Sequence, residues 1–225
     1  MMNCSTNATR RKIAHFYGDS ISKGDPGVTT LGWCRLLAKA KGWDPIVNAV
    51  QGTTMMGRVP VNPINSTPNM WDNRNNIITY DANRDVALFI SYCINDCGWN
   101  FTNYSVANYG SDADDVIVAA INKGWPLNRI IMSASTLVDS DYWDDYDATG
   151  VPLGNGYATA NDTRYLAMQA ELQSKCTSRG VVFMNPYTYM QNNGGFTLLG
   201  DGRHPNAAGY VAIKDYYMAN LSPSL

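Results

Sequence analysis

The sequence has few charged residues, and their charges nearly cancel. Of its 225 residues, 17 are Lys or Arg and 19 are Asp or Glu, which gives a formal net charge of −2 at pH 7. A protein that neutralises phosphates needs a basic surplus, so we expect no nucleic-acid partner. The apolar runs are short, whereas a membrane helix needs roughly 20 apolar residues, so we expect no membrane span. A hydrophobic fraction of 45% suits one α/β domain over residues 1–225, with a flexible N-terminal segment over 1–11.

Cysteine and histidine are also scarce. The five cysteines are scattered and odd in number, which argues against a disulfide framework, although a single disulfide is left open. Only two histidines are present to join Cys93 and Cys97 in a metal site. Five aspartates crowd one loop, but their spacing is not that of an EF-hand, and acidic runs are usually solvated. We therefore expect no metal. These aspartates are Asp139, Asp141, Asp144, Asp145 and Asp147.

The first residues lack the apolar core of a signal peptide. This leaves two locations open. The protein stays in the cytoplasm, or it is extracellular after removal of a leader or after non-standard export.

Apolar runs alternate with helical patterns along the chain. Strands are predicted at Lys12–Tyr17, Pro45–Val50, Val86–Tyr92, Arg129–Ala134 and Val181–Met184. Helices are predicted at Leu31–Ala40, Asp112–Lys123, Tyr157–Ser178 and from an Asn206 cap to about Leu221. The inner stripe of the last helix is predicted as Ala207, Tyr210, Val211, Tyr217, Met218 and Leu221. Residues 53–76, 139–156 and 191–205 are predicted as loops. The alternation predicts a parallel sheet with helices on both faces, whose ligands bind beyond the carboxyl ends of the strands.

Gly18-Asp19-Ser20 directly follows the first predicted strand. A serine hydroxyl is a weak nucleophile that needs a base, and a strand-to-helix turn would expose it. The same triplet is also an ordinary turn or helix cap. The motif therefore needs a partner elsewhere in the chain.

Asp201-Gly-Arg-His204 precedes the last predicted helix and supplies that partner. Gly202 permits a turn in which Asp201 accepts the imidazole N–H, fixes its tautomer and stabilises the imidazolium. The alternative is a loop histidine beside an aspartate that caps the helix. The other histidine, His15, lies inside a predicted strand and is interpreted as structural.

Gly52 and Asn95 each follow a predicted strand. A glycine allows close backbone approach to an anion, and a side-chain amide can donate to an oxyanion. Glycine after a strand and Asn-Asp in a turn are both common, so neither residue is specific by itself.

In combination and in order, these motifs resemble the SGNH hydrolase superfamily, the GDSL-type esterases and lipases. The resemblance rests on Gly18-Asp-Ser20, Gly52, Cys93-Ile-Asn95-Asp96 and Asp201-Gly-Arg-His204, and it spans almost the whole chain. Cys93 stands where the family usually has glycine, and Ile21 stands where leucine is frequent. The resemblance implies a three-layer α/β/α sandwich with a flavodoxin-like parallel sheet of about five strands.

The resemblance also implies a mechanism without cofactors. Ser20 would be the nucleophile, His204 its base and Asp201 the residue that orients the imidazole. The oxyanion would be held by the N–H groups of Ser20 and Gly52 and by the Asn95 amide.

The expected reaction is hydrolysis of short acyl esters, acetyl above all, on a carbohydrate. Polar and aromatic loops favour a sugar, and no amphipathic interfacial helix points to lipid. Asp19, Arg203 and Trp143 are the predicted substrate contacts. Two alternatives remain: a lipid esterase of the lysophospholipase or thioesterase type, and a non-catalytic carbohydrate-binding module. The sequence leaves the oligomeric state open.

Overall fold

Five parallel strands form the single sheet of this computed structural model, which describes residues 11–24, 32–57, 69–98, 105–134, 136–139 and 158–225. The strands are β1 (Ile13–Gly18), β2 (Asp44–Ala49), β3 (Asp85–Ser91), β4 (Ile130–Ser133) and β5 (Val182–Met184). They lie in the order β2-β1-β3-β4-β5. This is the flavodoxin-like order, in which the carboxyl ends of the strands meet along one edge.

Eight α-helices connect and cover the strands within these residues. They are α1 (Ser20–Lys23), α2 (Trp33–Lys41), α3 (Met70–Asn73), α4 (Ile94–Gly98), α5 (Val106–Asn122), α6 (Ala158–Arg179), α7 (Tyr187–Asn192) and α8 (Ala207–Asn220). Short 3-10 turns occupy Arg74–Asn76, Leu127–Arg129 and Gly195–Leu198. None of the described helices has an apolar stretch long enough to cross a bilayer.

Two helical layers enclose the sheet, as alternate side chains of β1 show. Phe16 packs edge-on against Trp33 of α2, and Trp33 stacks on Tyr217 of α8 with ring centroids 4.6 Å apart. His15 points to the opposite face, where it meets Trp125 just after α5. Every residue of β3 is buried, as expected for a central strand covered on both faces. The predicted three-layer α/β/α fold is confirmed.

The helices differ from the sequence-based expectation in several places, and the short helices α1 and α4 were not predicted. Helix α5 begins at Val106, six residues before the predicted start, because the Ser105 side chain caps it by accepting from the Asn108 N–H. Helix α3 lies within the predicted loop 53–76. Helix α7 covers the start of the predicted loop 191–205.

The buried stripe of α8 was also predicted partly wrongly. Tyr210, Tyr217 and Leu221 are buried as expected, together with Ile213. These four follow the 3-4-4 spacing of one helix face. Ala207, Val211 and Met218 lie roughly 60–100° further round the helix and are exposed.

Candidate functional site

The predicted site residues lie at the carboxyl ends of the first three strands and in the loop that enters α8. Ser20 opens α1 directly after β1, Gly52 follows β2, and Asn95 is on α4 after β3. Asp201 and His204 come between a 3-10 turn and α8. The fold thus brings together residues from both ends of the chain.

Ser20, His204 and Asp201 form a continuous hydrogen-bonded row. The Ser20 Oγ lies 2.9 Å from the Nε2 of His204. The Nδ1 of the same ring lies 2.7 Å from the Oδ2 of Asp201. Because Nδ1 faces a carboxylate, it carries the proton in the neutral ring, and Nε2 is then free to accept the serine proton.

The Asp201 carboxylate also holds the backbone of its own loop. Its Oδ1 accepts from the backbone N–H of His204 at 2.6 Å and of Arg203 at 3.0 Å. Gly202 makes this turn possible with a φ of 79°. Partial burial tends to raise the pKa of Asp201, but the hydrogen bonds from His204 and Arg203 outweigh it and lower the pKa. Asp201 is therefore ionised at neutral pH.

Backbone contacts fix the loop that carries His204. The Gly200 N–H donates to the His204 carbonyl at 2.8 Å, and the Asp139 N–H donates to the Gly202 carbonyl at 2.8 Å. The predicted Asn206 cap is present, with its Oδ1 accepting from the Gly209 N–H at 3.1 Å. The imidazole is thus positioned by a helix entrance and by the loop after β4.

Asp19 is placed differently from its predicted role as a substrate contact. Its side chain is 1% exposed and caps α1, with Oδ1 accepting from the Ile21 N–H at 2.9 Å. Burial raises its pKa to about 7, against the lowering effect of the hydrogen bond from Ile21. The predicted substrate contact is wrong, because a carboxylate turned into the protein cannot reach a ligand beside Ser20. Asp19 instead holds the first turn of α1, which presents Ser20.

Gly52 and Asn95 flank Ser20 from the neighbouring strands. Gly52 has a φ of 71°, and within the described residues its N–H has no hydrogen-bond acceptor. The Asn95 Nδ2 donates one hydrogen to the Thr53 carbonyl at 2.9 Å, which leaves the second amide hydrogen for another acceptor.

Asp96 has a positioning role that the sequence analysis missed. It is fully buried, and its two oxygens accept from the backbone N–H groups of Met55 at 3.0 Å and Met56 at 2.9 Å. Burial raises its pKa to about 7, against the effect of these two bonds. Asn95 and Asp96 together pin the loop that begins after Gly52. Only the adjacency of Asp96 to Asn95 could have indicated this role.

The remaining candidates lie beside the row, away from it or outside the described residues. Arg203 is half-buried next to His204, and its role as a substrate contact stays a prediction. Trp143 lies outside the described part of the chain, as do all the clustered aspartates except Asp139. His15 is 2% exposed and bonded to Asp85 at 3.0 Å, near the amino ends of the strands. Its interpretation as a structural residue is confirmed.

Such a row can move a proton from a hydroxyl to an imidazole and leave a serine oxygen able to attack a carbonyl carbon. The profile of the GDSL-like Lipase/Acylhydrolase family matches residues 16–212 of the sequence. The chain belongs to this family. Membership in the GDSL-like acylhydrolases makes it a hydrolase that acts on esters.

Solved structures of several other proteins share this fold. A lipolytic protein of the G-D-S-L family from Veillonella parvula is 16% identical with a TM-score of 0.68, over 94% of this chain and 99% of that one. The lipase/acylhydrolase from Enterococcus faecalis is 19% identical with a TM-score of 0.62, over 95% and 98%. The salicylyl-acyltransferase SsfX3 from a tetracycline biosynthetic pathway is 14% identical with a TM-score of 0.63, over 96% and 56%. At these identities the likeness establishes the fold alone. A search of the curated proteins found no significant match.

The departure of Cys93 from the usual GDSL-family glycine has a visible backbone consequence. Its φ of 153° is the only positive value at a non-glycine residue in the described part of the chain. This region is costly for a residue with a Cβ and open to glycine. Cys93 is fully buried, so the surrounding protein holds the strained conformation in place.

Proposed function

We propose that the protein is a serine esterase that removes short acyl groups, acetyl above all, from a carbohydrate. The observation that supports this proposal most directly is the row from the Ser20 Oγ through the His204 imidazole to the Asp201 carboxylate, with contacts of 2.9 and 2.7 Å. Acyl transfer through serine requires a nucleophile, its base and an orienting carboxylate, arranged in this spatial order.

The proposed reaction has two halves. The Ser20 Oγ bonds to the ester carbonyl carbon while His204 Nε2 takes the serine proton, and the imidazolium then protonates the departing alcohol. A water molecule next loses a proton to His204 and attacks the acyl carbon, and the proton returns to Ser20 as the acid leaves. Asp201 stabilises the imidazolium in both halves.

The developing oxyanion needs donors during each attack. We assign the Ser20 N–H, the Gly52 N–H and the second Asn95 amide hydrogen to this role. The Gly52 N–H, which has no acceptor among the residues that the structure describes, and the remaining Asn95 hydrogen support the assignment. One such donor is typically worth about 3–4 kcal/mol of barrier.

The proposal also specifies the acyl group and the alcohol of the substrate. The polar character of the sequence around the site, with Arg203 beside the base, favours a hydroxylated alcohol over a lipid chain. The fold is shared with SsfX3, an acyltransferase by name, so an alcohol could also replace water as the acceptor.

The decisive experiment measures acetate release from a panel of acetylated polysaccharides by the wild type and by Ser20→Ala. We expect release by the wild type and a loss of at least about 10³-fold in kcat in the variant. p-Nitrophenyl acetate and octanoate, assayed in parallel, separate the acyl preferences. A strong rise in kcat/KM with acyl chain length would contradict a carbohydrate substrate and favour a lipid ester.

A second outcome would contradict catalysis itself. If the wild type and Ser20→Ala hydrolysed activated acetate equally slowly, the protein would be a binding module on a hydrolase scaffold. Binding of the unmodified polysaccharide, measured by calorimetry, would then be the remaining activity.

A further inference from the structure

A cleft of about 470 Å³ opens beside the turn that carries Gly52. The sheet residues Tyr17 and Asn48 form one wall, and Asn73 and Asn76 at the α3 end form the other. Its volume lies within the range of roughly 300–1,000 Å³ that small-molecule sites occupy. None of the residues in the proposed proton-transfer row lines it, so the mechanism above leaves this cleft without a role.

The cleft is open because it lies on one face of the edge strand β2. Asn48 is paired with Tyr17 of β1 in the parallel register, so both side chains point to the same face. Ile46 and Val50 follow the same alternation and are 39% and 44% exposed. The described helices therefore leave this part of the sheet uncovered.

The lining of the cleft is polar but uncharged. It contains the side-chain amides of Asn48, Asn73 and Asn76 and the hydroxyls of Tyr17 and Thr53, and none of the described lining residues carries a charge. Part of this polar capacity is used within the wall, where Asn76 Nδ2 donates to Asn73 Oδ1 at 3.1 Å and Asn73 Nδ2 donates to the Asn69 carbonyl at 3.0 Å. An ionised ligand would lose its hydration there without a partner of opposite sign. Amides and hydroxyls both donate and accept, which matches the hydroxyl groups of a neutral polyol.

Hydrogen bonds connect the cleft wall to the nucleophile turn. The Val50 N–H donates to the Gly18 carbonyl at 2.9 Å, and the Thr53 Oγ1 donates to the Val50 carbonyl at 2.7 Å. Val50 and Thr53 both line the cleft, and Gly52 lies between them in the chain. A ligand held in the cleft therefore lies against the same turn that carries the proposed oxyanion donor.

We infer that this cleft is the subsite for a neutral sugar unit of the substrate, next to the unit that bears the ester. The inference rests on the proposed carbohydrate esterase function and adds where the sugar binds. It accounts for the uncharged amide lining and for the opening at the sheet edge, through which a polymer can extend.

The test compares two substrates on variants of the cleft. Val50→Trp fills the cleft from an exposed position, and Asn76→Ala removes one amide from its rim. The measured quantity is kcat/KM for an acetylated oligosaccharide divided by kcat/KM for p-nitrophenyl acetate. We expect this ratio to fall about tenfold in Val50→Trp and about fivefold in Asn76→Ala, through a higher KM for the oligosaccharide.

Ile46→Trp is the matched control, because Ile46 lies on the same face of the same strand but outside the cleft. Its ratio should equal that of the wild type. Circular dichroism checks the fold of each variant, and if Val50→Trp is misfolded, Asn76→Ala decides. Should the wild type deacetylate sugars while all ratios stay equal, the subsite is overturned and the proposed function stands. If the wild type cleaves p-nitrophenyl acetate but no acetylated sugar, the proposed function fails and the subsite fails with it.

Discussion

At the scale of single residues, the Asp201 carboxylate accepts from three N–H groups with its two oxygens. Oδ1 takes the backbone N–H groups of Arg203 and His204, and Oδ2 takes the imidazole. An amide side chain in the same position keeps only one acceptor oxygen. The shape of the loop and the tautomer of the ring therefore depend on different atoms of one side chain.

Asp201→Asn is expected to separate these two roles. The amide oxygen can still hold the loop, but the amide N–H group would face Nδ1 and favour the wrong tautomer of His204. We expect kcat to fall about 10³–10⁴-fold with little change in KM. Steady-state kinetics on p-nitrophenyl acetate measure this. The control is Asp44→Asn, which changes an exposed carboxylate at the far end of β2, and equal activity of the two variants would contradict the assigned role.

Cys93 gives a second prediction, on stability. A positive φ at a residue with a Cβ costs about 1–3 kcal/mol, whereas glycine adopts it freely. Cys93→Gly and Cys93→Ala both lose the buried thiol, but only the glycine relieves the backbone. We expect the glycine variant to be more stable than the alanine variant by about 1 kcal/mol or more, as measured by urea unfolding. A more stable alanine variant would show that no strain is stored there.

At the scale of elements, the segment 53–57 is a loop held by buried carboxylates. Asp96 accepts from the Met55 and Met56 N–H groups, and Asp112 of α5 accepts from the Gly57 N–H at 3.0 Å. The Met70 and Trp71 N–H groups of α3 donate to the Thr54 and Met55 carbonyls of the same loop. The loop thus has no strand or helix of its own and takes its shape from three other elements.

Asp96→Asn is expected to loosen this loop selectively. One of its two backbone bonds becomes a contact between two N–H groups, at a cost of about 1–3 kcal/mol. Amide hydrogen exchange at Met55 and Met56 should become faster. Asp112→Asn is the matched control, because its amide oxygen can still accept from the Gly57 N–H, so exchange at Met55 and Met56 should stay as in the wild type. Unchanged protection of Met55 and Met56 would show that Asp96 does not hold the loop.

Sequence analysis predicted the helices and strands that have a repeating apolar pattern. It missed those whose position or length depends on a single contact. The strands agree within one or two residues because their apolar runs are continuous. Helices α3 and α7 are too short to show a helical period. The early start of α5 depends on the Ser105 cap.

The same distinction holds for the site. The spacing and order of the motifs predicted that Ser20, His204 and Asp201 would meet. The direction of Asp19 was missed, because adjacency in the chain does not say into which face of a turn a side chain points. The role of Asp96 was missed because its partners are backbone N–H groups, which every residue except proline has and which residue types therefore do not reveal.

At the scale of the whole molecule, buried carboxyls set the pH dependence of folding. Burial raises the pKa of Asp19 and of Asp96 from 3.8 to about 7. Each binds its proton more tightly in the folded protein, so their contribution to stability is full below about pH 4 and is lost as the pH rises through about 7. Asp85, Asp114 and Asp201 have lowered pKa values, so their contribution to stability is present at neutral pH and is lost as the pH falls into the acid range. The free energy of unfolding should therefore be largest on the acidic side of neutrality.

Asp19→Asn should reduce the loss of unfolding free energy that occurs as the pH rises through neutrality. The amide oxygen can keep the bond to the Ile21 N–H, and the group no longer titrates. We expect the loss of unfolding free energy between pH 5 and pH 8 to be smaller than in the wild type by about 1–3 kcal/mol. Urea unfolding at both pH values measures it, with Asp44→Asn as an exposed control. Parallel profiles for wild type and Asp19→Asn would contradict this account.

The bond between Ser20 and His204 joins residues 184 positions apart. During synthesis on a ribosome, the hydroxyl emerges first, and under the proposed mechanism it lacks its base until almost all of the following chain has been made and α8 has packed in place. Under that mechanism a half-made copy cannot cleave esters in its surroundings. Esterase activity should therefore appear only when the last helix has packed against the rest of the folded chain.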